Sequence, residues 1–350
     1  IPAVGWSKSP NQQGALLVEG TFGAVPEITN LEIAGAGLNA QGRIVLAAGG
    51  GLQSATFSRV QIADWLDAPV ILRGRGAGQP VAVEISGGQL DLRRASRGAG
   101  GSGGGESGPI TIALDRLQVT EGIALTGFRG DFNGAGGFSG QFQAQMNGGT
   151  TVNGTVAPRN GRSAVRLRSA DAGGALQASG FMQNARGGTL DLTLIPTGDA
   201  GQFDGDLEVR GVRLQDAQTK AALLDAISVV GLLQQLDGQG LAFDEVDAVI
   251  RLTPNQVIVS EASAVGPGLG ISVDGTYTLA NKSIDLQGVV SPFYLVNSIG
   301  SFLTRKGEGL IGFNFNIGGT VDTPQVLVNP LSAFTPGMFR EIFRRPAPDE

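Results

Sequence analysis

Few residues in this chain of 350 could do chemistry, because histidine and cysteine are both absent. Thiol nucleophiles, CxxC redox motifs, disulfides and zinc sites made of thiolates or imidazoles are therefore excluded. A Ser-His-Asp triad is excluded for the same reason. Carboxylates remain for acid–base work, but no pair of them stands out as a general acid and base. A hydrolase that uses carboxylates alone, such as a glycosidase, stays open on composition.

Two kinds of motif could bind a small ligand. Residues 98–103 fit the GxGxxG spacing of a dinucleotide fingerprint. That fingerprint needs a strand, a turn and a helix in that order, whereas this segment is low-complexity sequence followed by a strand pattern. The acidic clusters at 204–206 and 244–247 lack the twelve-residue loop and closing glutamate of a calcium site. We predict no nucleotide, no metal and no cofactor, and we interpret the acidic residues as surface positions.

The net charge of -6 provides no basic field that would attract nucleic acid. A local basic segment lies at 336–345, where a Thr-Pro pair predicts the start of a helix. This helix would be amphipathic, so it could pack on its own domain, lie on an anionic membrane or bind a partner. Its candidate contact residues are Met338, Phe339, Arg340, Ile342, Phe343, Arg344 and Arg345.

Alternation with a period of two is the dominant pattern and predicts a mainly β protein. The stretch 269–287 alternates on both sides of a turn at Asn281 and Lys282, which predicts a hairpin with one apolar and one polar face. Residues 311–317 predict another such strand. Because no 18-residue apolar run occurs, no membrane-spanning helix is predicted, and we expect any export signal or anchor to lie upstream of Ile1.

A short sequence motif recurs along the chain, which suggests a modular β architecture. Gly-Gly-x-Leu-Asp-Leu stands at 87–92 and again at 187–192, and a looser copy stands at 283–286. The copies follow no short fixed period, which argues against a β-solenoid adhesin.

Three helices and one linker interrupt the strand pattern. We expect the helices near 216–236, 292–305 and 336–345, all towards the C-terminus. Residues 97–108 contain seven glycines in twelve residues and predict a flexible linker. The linker would divide the chain into two β regions, 1–96 and 109–350.

The apolar faces of these strands need cover that three helices and few aromatic residues cannot fully supply. Either the sheet closes as a sandwich, or it curls into an elongated, twisted, open groove with an aliphatic lining. We expect the open groove, which suits acyl chains better than peptides or sugars. The candidate lining residues are Ile271, Val273, Tyr277, Leu279, Ile284, Leu286, Phe313, Phe315 and Ile317.

The sequence of residues 109–345 resembles the C-terminal region of AsmA-like proteins of the YhdP type. The segments that carry the resemblance are 186–192, 226–233, 238–246, 266–271, 307–314 and 329–337. The resemblance implies a bacterial envelope protein anchored in the inner membrane, with a long periplasmic β-groove similar to bridge-like lipid transfer proteins. It implies passive, non-enzymatic phospholipid movement towards the outer membrane. The alternative is an envelope scaffold that docks a partner through its C-terminal helix.

Overall fold

Alternating apolar and polar residues form strands over most of the chain, as the sequence predicts. The structure is a computed structural model and describes residues 13–21, 23, 25–95, 108–134, 137–159, 162–197, 199, 201–215, 241–292, 305–309, 311–335 and 344–345. These residues form 21 strands in one large mixed sheet, in which nearly all neighbouring strands are antiparallel. The chain divides into two compact units, one composed mainly of residues 1–148 and the other mainly of residues 166–350.

The first unit is an antiparallel ladder with one parallel step. Its strands are β1 (Gly14–Thr21), β2 (Glu27–Gly35), β3 (Leu38–Leu46), β4 (Leu52–Ile62), β5 (Leu66–Arg73), β6 (Ala82–Ser86), β7 (Gln89–Asp91), β8 (Pro109–Gln118), β9 (Ala124–Asn133) and β10 (Ser139–Met146). Strand β5 pairs with both β6 and β7, and each of these pairs in parallel with β8. A parallel pair needs a long crossover connection, and the glycine-rich segment lies in that connection.

The second unit is an antiparallel meander. Strands β11 (Thr151–Arg159) and β12 (Arg162–Ser169) contribute residues to both units. The helix α1 (Ala172–Ala178) follows, and then β13 (Ala185–Arg186), β14 (Thr189–Pro196), β15 (Phe203–Leu214), β16 (Leu241–Leu252), β17 (Gln256–Val265), β18 (Leu269–Thr278), β19 (Ile284–Pro292), β20 (Phe313–Gly319) and β21 (Pro324–Asn329). From β14 to β21 each strand pairs antiparallel with the next.

The predicted hairpin is confirmed, since β18 and β19 pair from Leu269 opposite Pro292 to Tyr277 opposite Ile284. The helix prediction fares differently. Among the described residues there is one α-helix rather than about three, and the sequence did not predict it. The helix expected at 216–236 lies wholly outside the described residues, and those expected at 292–305 and 336–345 lie outside them except at residues 292, 305, 344 and 345. One of these residues, Pro292, is the last residue of β19.

Helix α1 is short and rich in small residues, which is why its sequence gives no helical signal. Asp171 caps it by accepting a hydrogen bond from the Gly174 amide at 3.0 Å. A β-carbon at Gly173 would lie 2.4 Å from the Cα of Arg186, so glycine lets the helix approach β13 closely. The helix is therefore held by its contact with the sheet rather than by its own helix propensity.

The repeated motif has the same backbone conformation at its second glycine in both full copies. Gly88 and Gly188 have φ of 76° and 77°, in the left-handed region. A β-carbon would lie 2.2 Å from the Asp67 carbonyl oxygen at Gly88 and 2.6 Å from that of Arg210 at Gly188. Only glycine allows both the positive φ and the close approach to a neighbouring carbonyl oxygen, so the motif forms a tight turn that leads into a strand. The looser copy has Lys282, with φ of 55°, at the equivalent position.

The predicted linker at 97–108 stays a prediction, because all of it except Gly108 lies outside the described residues. Strands on both sides of it, β7 and β8, belong to the first unit. None of the helices that the described residues form is long and apolar enough to cross a bilayer.

Candidate functional site

Cross-strand pairing arranges the apolar side chains of β14–β21 in four rows that run across the strands. The second row consists of Leu192, Leu207, Ala248, Ala262, Val273, Gly288, Phe315 and Val328, each directly opposite the next. The first row consists of Leu190, Val209, Val246, Ala264, Ile271, Val290 and Phe313. The third row consists of Leu194, Gly205, Ile250, Val259, Gly275, Leu286, Ile317 and Val326, and the fourth row of Pro196, Phe203, Leu252, Val257, Tyr277 and Ile284. We call this side of the sheet the apolar face.

The apolar face carries no charged side chain in any of the four rows, and Tyr277 supplies the only polar side-chain atom. With strands about 4.8 Å apart, the second row extends roughly 34 Å. Six of its eight residues are half-buried, and Gly288 and Phe315 are buried. A long strip of aliphatic side chains thus keeps partial contact with solvent.

Eight of the nine predicted groove residues lie together on the apolar face. Leu279 follows the end of β18 and is buried there. Phe313 and Phe315 are 4% and 3% exposed and belong to the hydrophobic core. Ile271, Val273, Ile284, Leu286 and Ile317 are half-buried. The alternation therefore placed eight of these residues on one face, but Phe313, Phe315 and Tyr277 are buried there and offer no accessible lining.

Helix α1 and the residues that follow it cover part of the apolar face. Leu176 and Met182 pack against the same hydrophobic core as Phe313 and Phe315. The ring of Phe181 meets Tyr277 edge-on, with centroids 5.2 Å apart, and the Tyr277 hydroxyl donates to the Gly180 carbonyl at 3.4 Å. Burial raises the pKa of Tyr277, which keeps this hydroxyl protonated as a donor.

The opposite face of β18 and β19 holds a buried ion network that the sequence analysis missed. Arg344 Nη1 lies 3.1 Å from Glu308 Oε1, and Arg344 Nη2 lies 3.4 Å from Asp274 Oδ1. All three side chains are at most 4% exposed. Ser272 donates to Glu308 at 2.5 Å, and Gln287 donates to Asp274 at 2.7 Å. Two chain segments, at 305–309 and 344–345, therefore lie over a polar face that alternation alone predicts to be solvated.

Arg345 extends this attachment towards the surface. Its amide donates to Gln287 Oε1 at 2.9 Å, and its guanidinium binds the Asp285 carboxylate through two contacts of 2.7 and 3.1 Å. Arg344 and Arg345 thus bind the protein's own sheet, and Arg344 does not belong to an exposed basic face. The other predicted contact residues of this helix, Met338, Phe339, Arg340, Ile342 and Phe343, lie outside the described residues.

The aspartate in each copy of the repeated motif pairs with an arginine. Asp91 pairs with Arg93, Asp191 with Arg166, and Asp285 with Arg345. In each case the arginine's hydrogen bonds hold the pKa of the carboxyl below its usual value. The motif therefore supplies a carboxylate that pairs with an arginine. For Asp191 and Asp285 this arginine lies in a distant part of the same unit, and for Asp91 it lies two residues further along the chain.

These pairs predict a loss of stability in acid. A carboxyl whose folded-state pKa lies below its unfolded value of about 3.9 stabilises the fold above that pH and loses this contribution as pH falls through the folded pKa. We expect the free energy of unfolding to fall as pH drops below about 4. Asp191→Asn should flatten part of this fall in urea titrations at several pH values. Asp206→Asn is the matched control, because Asp206 is exposed and has no ion pair among the described residues; an equal flattening there would contradict the assignment.

Of the acidic clusters noted in the sequence, Asp204, Asp206, Glu245 and Asp247 lie on the polar face, where basic residues neutralise part of their charge. Lys306 pairs with both Glu245 and Asp247, and Arg251 lies 2.8 Å from Asp204. Across the described part of the chain, no group of three or more acidic residues is arranged so that it could hold a metal ion.

Comparison with known proteins adds no identification. No protein-family model matches the chain, and searches of curated proteins and of solved structures also gave no match.

Proposed function

We propose that the protein binds phospholipid by its acyl chains along the apolar face and conducts it without enzymatic chemistry. The observation that supports this most is the second row of the face. Its side chains are apolar and uncharged, yet Leu192, Leu207 and Val273 remain half-buried in the folded unit. Partly solvated apolar surface of this kind lowers its free energy by binding an apolar ligand.

The dimensions of the row suit acyl chains. A bilayer core about 30 Å thick holds two leaflets, so one chain reaches roughly 15 Å into it. A row of roughly 34 Å can accommodate about two chain lengths along the sheet. Each buried methylene contributes about 0.8 kcal/mol, and an even lining gives no deep well that would stop a lipid from sliding.

The setting of this activity follows from the resemblance of residues 109–345 to AsmA-like proteins. We propose that the chain is a periplasmic segment of an inner-membrane-anchored protein and that lipid moves along it between inner and outer membrane. In this proposal, lipid reaches the apolar face wherever α1 and the residues that follow it do not cover the sheet. Contact between the C-terminal segment 336–343 and the outer-membrane surface or an envelope protein is part of this proposal.

Photo-crosslinking from the two faces of single strands tests the proposal. A photoreactive residue at Leu207 or Val273 should capture phospholipid in cells, because both side chains point to the apolar face. The matched controls are Asp206 on β15 and Thr276 on β18, which point to the opposite face. Equal capture from both faces, or none from Leu207 and Val273 in folded protein, would favour the scaffold alternative.

A further inference from the structure

A polar cleft of about 400 Å³ lies in the first unit. Its floor is one row of directly paired residues on the polar side of the sheet, Gln61, Asp67, Gln89 and Arg116. Its wall is the turn between β4 and β5, which contributes Trp65. The volume is within the range of small-molecule sites.

Trp65 is the one aromatic residue among the residues that line the cleft. The turn that presents it is fixed by Ala63, whose φ of 43° is in the left-handed region that residues other than glycine seldom adopt. The Asp91 amide donates to the Trp65 carbonyl at 2.7 Å, which ties the turn to β7. Trp65 is half-buried and thus lines the cleft from a turn whose backbone is tied to β7.

Each carboxylate of the cleft is paired with an arginine, and Arg116 of the floor donates to the side-chain oxygen of Gln118 at 3.0 and 2.6 Å. Arg93 binds Asp91 through two hydrogen bonds of 2.9 and 2.6 Å, and Arg94 lies 2.9 Å from Asp64. Asp67 takes two hydrogen bonds, of 2.8 and 2.6 Å, from Arg59. The lining contains three aspartates and three arginines, so it gives little net field for a free anion or cation. Their remaining lone pairs and N–H groups still offer acceptors and donors in fixed positions.

We propose that this cleft, the Trp65 cleft, binds an uncharged saccharide. Sugar hydroxyls donate and accept at once, so they can use carboxylate oxygens and guanidinium N–H groups without disrupting the ion pairs. The C–H groups on one side of a sugar ring can pack on the indole. This contact removes apolar indole surface from water, where its exposure is unfavourable. This site lies in the first unit and does not depend on lipid binding by the second.

The chain has two tryptophans, which makes the test direct. In a Trp6→Phe background, Trp65 is the only indole, and its fluorescence is titrated with maltotriose, cellotriose and the trimer of N-acetylglucosamine. We expect a saturable shift with at least one of them. Arg93→Gln should weaken that binding by tenfold or more, because it removes the two hydrogen bonds that position Asp91. The matched control Arg73→Gln, which breaks the exposed Arg73–Glu84 pair on the same strand ladder, should leave it unchanged.

Three results would overturn the proposal. One is no shift with any of the three sugars while circular dichroism shows folded protein. Another is equal binding by the Arg93→Gln and parent proteins. The third is a larger shift with sodium phosphate or choline chloride, which would make the cleft an ion site. If Arg93→Gln does not fold, Trp65→Leu measured by calorimetry against the same sugar replaces it, and unchanged affinity would count against the cleft.

Discussion

Replacing Arg344 by methionine is expected to lower the free energy of unfolding by about 3–5 kcal/mol. The substitution keeps most of the side-chain length but removes the guanidinium that lies between Asp274 and Glu308, while Arg305 stays 3.7 Å from Asp274. Both carboxylates are at most 3% exposed, so water cannot readily replace the lost charge. Urea unfolding followed by circular dichroism measures the change.

The neighbouring arginine provides the matched control. Arg345 pairs with Asp285, and both side chains are more than half exposed. Exposed pairs contribute at most about 1 kcal/mol, so Arg345→Met should change the free energy of unfolding by no more than that. Equal effects of the two substitutions would show that Arg344 is not held in the buried network. An effect of Arg344→Met below about 1 kcal/mol would show the same.

The sequence could predict the apolar face because a strand's side chains alternate strictly. In β18 and β20, every second residue is apolar, and this pattern placed Val273 and Phe315 on one side of the sheet. It could not say how deeply each residue lies. Val273 is half-buried and Phe315 is 3% exposed, and the difference depends on residues that pack over them from distant parts of the chain.

The buried ion network shows the limit of pattern reasoning. Asp274 stands at a polar position of an alternating strand, which ordinarily faces solvent. It is buried because Glu308 and Arg344, 34 and 70 positions further along the chain, pack over that face. No local pattern records a contact of that separation. Helix α1 was missed for the opposite reason, because its two glycines weaken the local helical signal while its contact with β13 stabilises the helix.

Placing a lysine at Val273 is expected to remove bound lipid with little loss of stability. Val273 is half-buried, so the lysine stem can lie along the apolar face while its ammonium reaches water. When lipid is present, the same ammonium must enter the row where acyl chains lie, and its desolvation opposes binding. We expect at least a tenfold fall in copurified phospholipid, equivalent to about 1.4 kcal/mol. Native mass spectrometry and melting temperature measure the two effects.

Two further variants serve as references for Val273→Lys, one for retained lipid and one for loss of folding. Thr276→Lys lies on the other face of the same strand and should keep its lipid. Phe315→Asp places a carboxylate where a ring is 3% exposed, so it should cost several kcal/mol and prevent folding in either case. The informative comparison is therefore between Val273 and Thr276. If Val273→Lys unfolds the protein as Phe315→Asp does, the second row is closed to solvent and the scaffold alternative is favoured. If Val273→Lys folds and keeps its lipid, acyl chains do not lie along this row.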